Sequence, residues 1–237
     1  MGLSLGEGVI YLRYARVDDA APRLLALLSA EEQAKADRFA FAHDRNAYVA
    51  AHALTRKTLS GFYPRAAQDW AFSFNAQGKP RIDARDESAR LSFNLSHTSG
   101  FVAVAVALDR DVGVDVERIA PARADTDVAR HLFAPSEDEA FLAEPEAGRA
   151  EAFFDFWTLK EAYIKAVGLG VALPLKDFAF NREPLRISFA PTLDDIPSRW
   201  IFRRFHPAPG IAMALAARRG HGAEPVVRVS EVEIDAL

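Results

Sequence analysis

The sequence contains no cysteine among its 237 residues. This absence excludes disulfide bonds, thiolate catalysis and cysteine-ligated zinc, and it is consistent with a cytoplasmic protein. Long hydrophobic runs are also missing, because no apolar stretch reaches the ~20 residues that a membrane-spanning helix needs. The N-terminal residues lack a basic segment followed by an apolar core, so we expect no signal peptide and no membrane association.

A strong excess of either charge is absent as well. The chain has 29 Lys and Arg residues against 33 Asp and Glu residues, a formal net charge of −4. This balance argues against broad nucleic-acid binding, which usually needs a strongly basic surface. The hydrophobic content is 50%, which suffices for a sizeable core in one large domain or two small ones.

Helical patterns occur in both halves of the chain. Ser29 and Glu32 form a capping-box pattern that predicts a short helix, and a similar pattern at 136–139 predicts another. Apolar periodicity predicts two longer helices, over about 44–62 and 150–167.

Strand patterns separate these helices. The apolar segments 101–108 and 112–119 flank a tight turn, and we expect them to pair as a hairpin. Another strand is predicted at 9–14, and the C-terminal segment is rich in strand patterns, although no exact sequence repeat is visible. This order predicts an α+β fold with an N-terminal subdomain, 1–109, and a C-terminal subdomain, 110–237.

Two carboxylates lie on one face of a predicted strand. In the segment GVDVE, Asp115 and Glu117 alternate with Val114 and Val116, so both acids point to the same side of the sheet. A solvated sheet edge is one interpretation. A site for a hard cation is the other, because Mg²⁺ prefers carboxylate oxygens and completes its shell with water or phosphate.

The last predicted long helix carries another acid and two lysines. Glu161 and Lys165 are four residues apart on one helical face, with Lys160 beside them. An exposed ion pair, worth roughly a few tenths of a kcal/mol, is the simpler interpretation. The alternative makes Glu161 a third cation ligand or a base and Lys165 a contact to phosphate.

A hydroxyl-rich turn, LSHTSG, joins two predicted strands. Its adjacent Ser96 and His97 are poor evidence for a nucleophilic triad, whose members converge from different parts of a fold. His97 is either a structural loop residue or a phosphate ligand that acts with backbone N–H groups. Lys79 in the turn QGKP, and Lys35 and Arg45 on the first helices, are either free surface cations or further phosphate contacts.

Taken in chain order, these elements resemble the Sfp-type 4′-phosphopantetheinyl transferases. The matching segments are GKP (78–80), FNLSH (93–97), GVDVE (113–117), FAPSE (133–137) and WTLKEAYIK (157–165). GVDVE and WxxKEAxxK are the two signature motifs of that family. The resemblance covers approximately residues 29–180, and the segment beyond it carries no motif of the family.

The resemblance implies a pseudo-dimeric α+β fold, in which two similar subdomains enclose the active site in the cleft between them. It implies transfer of the 4′-phosphopantetheine arm of coenzyme A, the co-substrate, to a serine hydroxyl of an acyl, peptidyl or aryl carrier protein. Adenosine 3′,5′-bisphosphate would leave. We therefore expect a cytoplasmic monomer that acts with Mg²⁺ or Mn²⁺ and binds neither nucleic acid nor membrane.

Carried over by position, the resemblance also implies the catalytic residues. Asp115, Glu117 and Glu161 would hold the metal ion on the diphosphate. Glu161 or a metal-bound water would take the serine proton, and Lys165 would stabilise or protonate the departing phosphate.

The resemblance implies a second set of residues that contact coenzyme A. His97, also counted in the catalytic set, and Lys79 would meet the 3′-phosphate and the diphosphate, with Ser96 nearby. Lys35, Arg45 and Lys165 would add further contacts.

Two positions depart from the better-known pattern. Glu32 and Ala47 stand where basic residues are often found, and this leaves Lys35 and Arg45 as the cations of the first two helices. The contacts to the 3′-phosphate are therefore open.

Two other functions are compatible with the same residues. One is a non-enzymatic protein that binds coenzyme A or a carrier protein as a regulator, and the other is a different Mg²⁺-dependent phosphoesterase or nucleotidyl transferase. Because carrier proteins are usually acidic, a local basic patch is the expected docking surface. The candidate residues are Arg182, Arg186, Arg199, Arg203 and Arg204.

Overall fold

A computed structural model of the chain describes residues 6, 8–17, 22–83, 88, 90–220 and 223–237. The helices are α1 (Ala30–Ala36), α2 (Ala42–Phe62), α3 (Thr126–Leu132), α4 (Pro135–Ala143) and α5 (Glu146–Val167). The first strands are β1 (Val9–Arg16), β2 (Phe72–Phe74), β3 (Pro80–Ile82), β4 (Leu91–Thr98), β5 (Phe101–Leu108) and β6 (Val112–Arg118). The remaining strands are β7 (Phe178–Arg182), β8 (Leu185–Phe189), β9 (Trp200–Phe205), β10 (Ile211–Arg218) and β11 (Val226–Glu231).

The strands form two main sheets, one in each half of the chain. The first has the order β11-β1-β5-β4 and the second the order β6-β10-β9. The cores β1-β5-β4 and β6-β10-β9 have the same antiparallel arrangement. The protein is therefore an α+β protein of two similar subdomains, as the sequence predicts.

The two sheets lie face to face between the two long helices. In β5, Val102, Val104 and Val106 pack in the core that contains α2, whereas Phe101 and Ala103 pack against the second sheet. Strand β10 divides its side chains in the same way between α5 and the first sheet. Both faces of each central strand are buried, which explains their continuous apolar sequences.

A glycine allows α5 to lie directly on β6. A Cβ atom at Gly113 would be 2.1 Å from the carbonyl oxygen of Ala162 and 2.4 Å from the backbone nitrogen of Ala166. Only a residue without a side chain fits this approach. The contact places the face of β6 that carries Asp115 beside the turn of α5 that carries Lys165.

A buried ion pair anchors α5 to its neighbours. Lys160 and Glu137 are both fully buried, and their Nζ and Oε2 atoms are 2.7 Å apart. Lys160 also donates to the carbonyl groups of Leu175 and Phe178, while Glu137 accepts from the backbone of Phe180. The lysine of the KEA motif is therefore a structural residue.

Three local predictions were wrong. The expected hairpin of 101–108 and 112–119 does not form, because β5 pairs with β1 and β4 whereas β6 crosses to the second sheet. The N-cap of helix α4 is Ala134, two residues before the predicted cap at Ser136, and Pro135 lies in the first turn. The segment LSHT belongs to β4, so that only Ser99 and Gly100 form the turn.

The last strand returns to the first half. Strand β11 runs parallel to β1, with Val226 opposite Val9 and Glu231 opposite Tyr14. It crosses the expected boundary at residue 109, and that boundary stays a prediction. None of the described helices combines the length and hydropathy required to cross a membrane.

Candidate active site

The two halves meet through polar side chains of β4. The side chains of Asn94, Ser96 and Thr98 lie on one side of the strand because they alternate along it. Their oxygens accept from the backbone N–H groups of residues 114, 116 and 118 of β6, at 2.9, 3.3 and 3.4 Å respectively. These bonds satisfy the free edge of β6 and fix the position of its two acids.

Asp115 is the most buried acid of the site, with a side chain 6% exposed. Its Oδ1 accepts from Lys165 Nζ at 2.6 Å and from Ser96 Oγ at 2.9 Å. Lys165 also contacts Ser96 at 2.9 Å, so the three groups form one network. Asp115 Oδ2, in contrast, is buried without a hydrogen-bond partner. A buried carboxylate oxygen without a donor is costly, and a cation would satisfy it.

Two further acids lie near Asp115. Burial raises the pKa of Glu117, and the charge of Asp115 raises it further. Burial likewise raises the pKa of Glu161, with added repulsion from Asp115 and Glu117. Mutual repulsion of this kind disfavours three ionised carboxylates unless positive charge is supplied. Arg123 Nη1, 3.4 Å from Glu117, and Lys165 supply part of it.

The three acids do not form a closed metal cage in this conformation. Within the described ranges, the one trio of carboxylate and imidazole ligand atoms within 4.8 Å of one another is a different cluster, Glu151, Asp155 and His206. Lys165 lies against Asp115 at the same time. The ligand set Asp115, Glu117 and Glu161 therefore stays a prediction, which the unpartnered Oδ2 atom and the acid-rich donor set fit.

A cleft of about 590 Å³ opens beside this network. Lys165, Ser96 and His97 line one end, and Lys35 lines the wall formed by α1. Phe39, Tyr48, Phe72, Phe74 and Phe93 contribute aromatic surface. The volume and the mixture of apolar walls with a few polar groups are typical of a small-molecule site.

His97 is part of the lining of the cleft. Its side chain is exposed, yet the surrounding cleft atoms remove part of its hydration. This desolvation, together with the charge of Lys165, lowers the pKa of His97. The imidazole is therefore mainly neutral at pH 7 and can gain a proton when an anion enters.

Glu32 and His52 form a second polar centre in the cleft wall, which the sequence did not predict. Glu32 accepts from His52 Nδ1 at 2.8 Å and from Arg56 Nε at 2.7 Å. Burial alone would raise the pKa of Glu32, but these bonds and the backbone N–H of Ser29 lower it to about 2. Glu32 thus holds His52 in the cleft instead of acting as a ligand for an anion.

Two predicted phosphate contacts lie outside this cleft wall. The Nζ of Lys79 donates to the carbonyl group of Ala166 at 2.6 Å, at the C-terminal end of α5, and burial lowers its pKa to about 8. Arg45 forms an ion pair with Asp37, with Nη2 and Oδ1 3.3 Å apart. Neither Lys79 nor Arg45 contacts the network of Lys165, Asp115 and Ser96 in this conformation. The roles of both residues stay predictions.

The turn that carries Lys79 supports α5 from the other half of the molecule. Asn75 donates to the carbonyl group of Gly168 at 2.8 Å, and its own side-chain oxygen accepts from the backbone of Gln77 and Lys79. The last carbonyl groups of a helix have no partner within the helix. The turn therefore caps α5 from the first subdomain.

Comparison with known proteins identifies the family. Residues 18–109 match the family model described as 4′-phosphopantetheinyl transferase, N-terminal, and residues 111–216 match the 4′-phosphopantetheinyl transferase superfamily. The 4′-phosphopantetheinyl transferase HetI of Nostoc sp. is 32% identical over 85% of this chain and 83% of its own length. The 4′-phosphopantetheinyl transferase Sfp of Bacillus subtilis is 26% identical over 95% of this chain and 97% of its own.

Among solved structures, a match is found to holo-[acyl-carrier-protein] synthase of Thermotoga maritima. It covers 46% of this chain and 62% of that chain, with 22% sequence identity and a TM-score of 0.34.

Proposed function

The chain belongs to the 4′-phosphopantetheinyl transferase superfamily and is an enzyme of that class, and we propose the residues and the metal with which it works. It transfers phosphopantetheine to carrier proteins. In our proposal the acceptor is a serine hydroxyl of an acyl, peptidyl or aryl carrier protein, the donor is coenzyme A, and adenosine 3′,5′-bisphosphate leaves. The unpartnered, buried Oδ2 of Asp115 beside Lys165 at the cleft is the observation that supports it best.

A Mg²⁺ ion, or Mn²⁺ in its place, would be held by Asp115, Glu117 and Glu161. All three donors are carboxylates, which are the ligands that such hard cations prefer. When bound, the ion would neutralise charge on the diphosphate of the substrate and orient it. Lys165 contacts Asp115 Oδ1, so the other oxygen, Oδ2, is the one available to the ion.

The reaction forms a bond between the serine oxygen and the phosphorus that bears the pantetheine arm. The bond from that phosphorus to the bridging oxygen of the diphosphate breaks, and the bridging oxygen leaves with adenosine 3′,5′-bisphosphate. A carboxylate oxygen of Glu161 takes the serine proton, for which its raised pKa makes it a stronger base than an ordinary glutamate. Lys165 Nζ stabilises or protonates the departing phosphate.

The cleft is proposed to hold coenzyme A. The diphosphate would lie at the end lined by Lys165, Ser96 and His97, and the remainder of the molecule would extend past Lys35. At that end, the flexible ammonium group of Lys165 and the protonable imidazole of His97 can donate hydrogen bonds, which suits a dianionic ligand. Lys79 and Arg45 are retained as proposed contacts of secondary importance, since each already has a partner.

Docking of the carrier protein on the C-terminal arginines stays a prediction, and among the five candidates the exposed Arg186 is the one without an acid partner in the described residues. Each of Arg182, Arg199, Arg203 and Arg204 forms an ion pair with an acid of this chain. Arginines paired in this way offer less net charge to an acidic partner. A monomeric state and a cytoplasmic location remain expectations from the family resemblance.

Intact-mass measurement of a small panel of carrier proteins tests the proposal. Mixed with the enzyme, coenzyme A and Mg²⁺, at least one carrier should gain the mass of one phosphopantetheine arm, and removal of divalent cations with a chelator should abolish the gain. No gain on any carrier, or release of free phosphate or pyrophosphate instead, would contradict it.

Matched variants then test the proposed residues. Glu117→Ala should lower turnover at least tenfold, which corresponds to about 1.4 kcal/mol of activation free energy. Glu139→Ala, which removes an exposed acid of α4, should retain the wild-type rate. Equal rates in the two variants would exclude Glu117 as a ligand.

A further inference from the structure

An imidazole and two carboxylates form a cluster outside the proposed active site. Glu151 and Asp155 are four residues apart on α5, and His206 directly follows β9. One ligand atom of each residue lies within 4.8 Å of the others. Residues 155 and 161 are six positions apart, about 9 Å along the helix axis and about 120° around it, so the cluster is separate from the proposed active site.

The environment of Asp155 is the first sign of a ligand. Its side chain is 1% exposed, and its Oδ1 is buried without a hydrogen-bond partner. The other oxygen, Oδ2, accepts from Arg182 Nη1 at 3.1 Å and from Arg204 Nη1 at 2.6 Å. The protein therefore satisfies one oxygen fully and leaves the second directed at the cluster, where an unsatisfied atom is costly.

The second sign is the geometry of His206. Its Nε2 lies 3.1 Å from Asp155 Oδ1, yet the two atoms do not meet the alignment of a hydrogen bond. Two ligands held about 2.1 Å from one zinc ion at a tetrahedral angle are about 3.4 Å apart, and neither points at the other. The observed spacing matches two ligands of a shared ion. Glu151 Oε1 is 3.8 Å from the same nitrogen on a mostly exposed side chain, which can rotate closer.

The local charge also suits a divalent cation. The charged side chains of the network are Glu144, Glu151, Asp155, Glu183, Arg182 and Arg204. Each arginine contacts Asp155 and one further acid. Four carboxylates against two guanidinium groups leave the acids in excess by two.

We propose that Glu151, Asp155 and His206 form a second metal site, which binds Zn²⁺ or a similar transition-metal ion with water as the fourth ligand. An imidazole nitrogen favours such an ion over Mg²⁺, whose ligands are mainly oxygens. The ion ties the N-terminal part of α5 to the end of β9. Its role is to stabilise the C-terminal subdomain, and it takes no part in the transfer reaction.

Calorimetric titration of Zn²⁺ into the protein tests the site, with excess Mg²⁺ present to occupy the proposed active site. His206→Gln is compared with His131→Gln, which removes an exposed imidazole of α3. Wild type and His131→Gln should bind one Zn²⁺ per chain, and His206→Gln should bind it at least tenfold more weakly. The midpoint of thermal unfolding should rise with Zn²⁺ in the first two proteins alone.

A second variant protects the test against loss of folding. Asp155→Asn removes a buried charge between two arginines and can unfold the protein, whereas Glu151→Gln changes an exposed side chain. Glu151→Gln should also weaken Zn²⁺ binding. The proposal is wrong if wild type binds no Zn²⁺, which would leave the cluster as an ion-pair network, or if Glu151→Gln and His206→Gln both bind it as tightly as wild type.

Discussion

The two subdomains contain the same buried anchor, built from different residues. In each, a glutamate in the first turn of a short helix pairs with a cation of the following long helix: Glu32 with Arg56, and Glu137 with Lys160. Each cation also donates to two carbonyl groups of the segment that follows the long helix.

An aromatic ring completes each anchor. Arg56 lies 5.0 Å from the centre of the ring of Phe72, and Lys160 lies 4.2 Å from that of Phe178. Phe72 begins β2 and Phe178 begins β7, so the equivalence extends to the element that follows. The repeat is therefore structural, although the sequences of the two halves show no exact repeat.

The anchors differ in their exposure. Glu137 is fully enclosed, whereas Glu32 lies in the wall of the cleft and also holds His52. Asp115 on β6 and Lys165 on α5 come from the second subdomain. They form a network with Ser96 beside the same cleft. The second subdomain thus separates a buried structural lysine, Lys160, from a lysine at the cleft, Lys165, while the first uses its anchor to shape the cleft wall.

Among the variants that test this comparison of the two anchors, Lys160→Ala should lower the unfolding free energy most. It would leave Glu137 charged and buried without its partner, which typically costs about 3–5 kcal/mol of unfolding free energy. Urea denaturation measures it, with Lys176→Ala, a lysine on the segment after α5, as the control. A loss below about 1 kcal/mol in Lys160→Ala would show that the anchor of the second subdomain is not structural.

Acid titration should reveal how much Glu32, in the anchor of the first subdomain, contributes to the unfolding free energy. The pKa of Glu32, lowered from 4.5 to about 2, gives stability that is present above pH 4.5 and is lost as the pH falls towards 2. The difference amounts to at most about 3 kcal/mol. Unfolding free energies measured between pH 5 and 2 should fall less steeply in Glu32→Gln than in wild type or in Glu31→Gln, which alters an exposed neighbour. Identical slopes in all three would contradict the assignment.

Gly113→Ala should displace α5, which carries both Lys160 and Lys165, because the new methyl group meets the backbone of this helix. A loss of about 1–3 kcal/mol in unfolding free energy is typical of overpacking, and turnover should fall with it. Gly148→Ala is the matched control, since its Cβ would meet only a glutamate side chain at 3.5 Å. Equal stability of the two variants would mean that α5 and β6 can separate without cost.

Lys165→Ala should change stability least. Its ammonium group reaches the cleft, so that water can replace it, and we expect a loss of no more than about 1 kcal/mol. Turnover in the carrier-protein assay should nevertheless fall at least tenfold. A large loss of stability with unchanged turnover would assign Lys165 to the same structural class as Lys160.

Local patterns predicted much of this fold. Apolar periodicity predicted the ends of α2 and α5 to within about one helical turn. The alternation in GVDVE correctly predicted that Asp115 and Glu117 lie on one face of the strand. The α+β class followed from the order of these elements.

Long-range partners were not predictable in the same way. The short turn between β5 and β6 is typical of a hairpin, yet β5 is buried on both faces within the first sheet, whereas β6 pairs with β10 in the second. Glu32 was identified as part of a capping box, but its bond to Arg56 joins residues 24 positions apart. The segment around Lys79 has the composition of a surface turn. Only the docking of that turn on α5 reveals the hydrogen-bond acceptor of Lys79.

The parallel pairing of β11 with β1 has a consequence for synthesis on the ribosome. Arg16 and Glu231 join across this pair although they are 215 residues apart in sequence. Strand β1 is therefore made before the rest of both subdomains and keeps one open edge until β11 has been translated. An unpaired edge is a template for intermolecular association. The earliest part of the first sheet to be made is thus the last to be closed, and newly made chains are most exposed to misassembly during that interval.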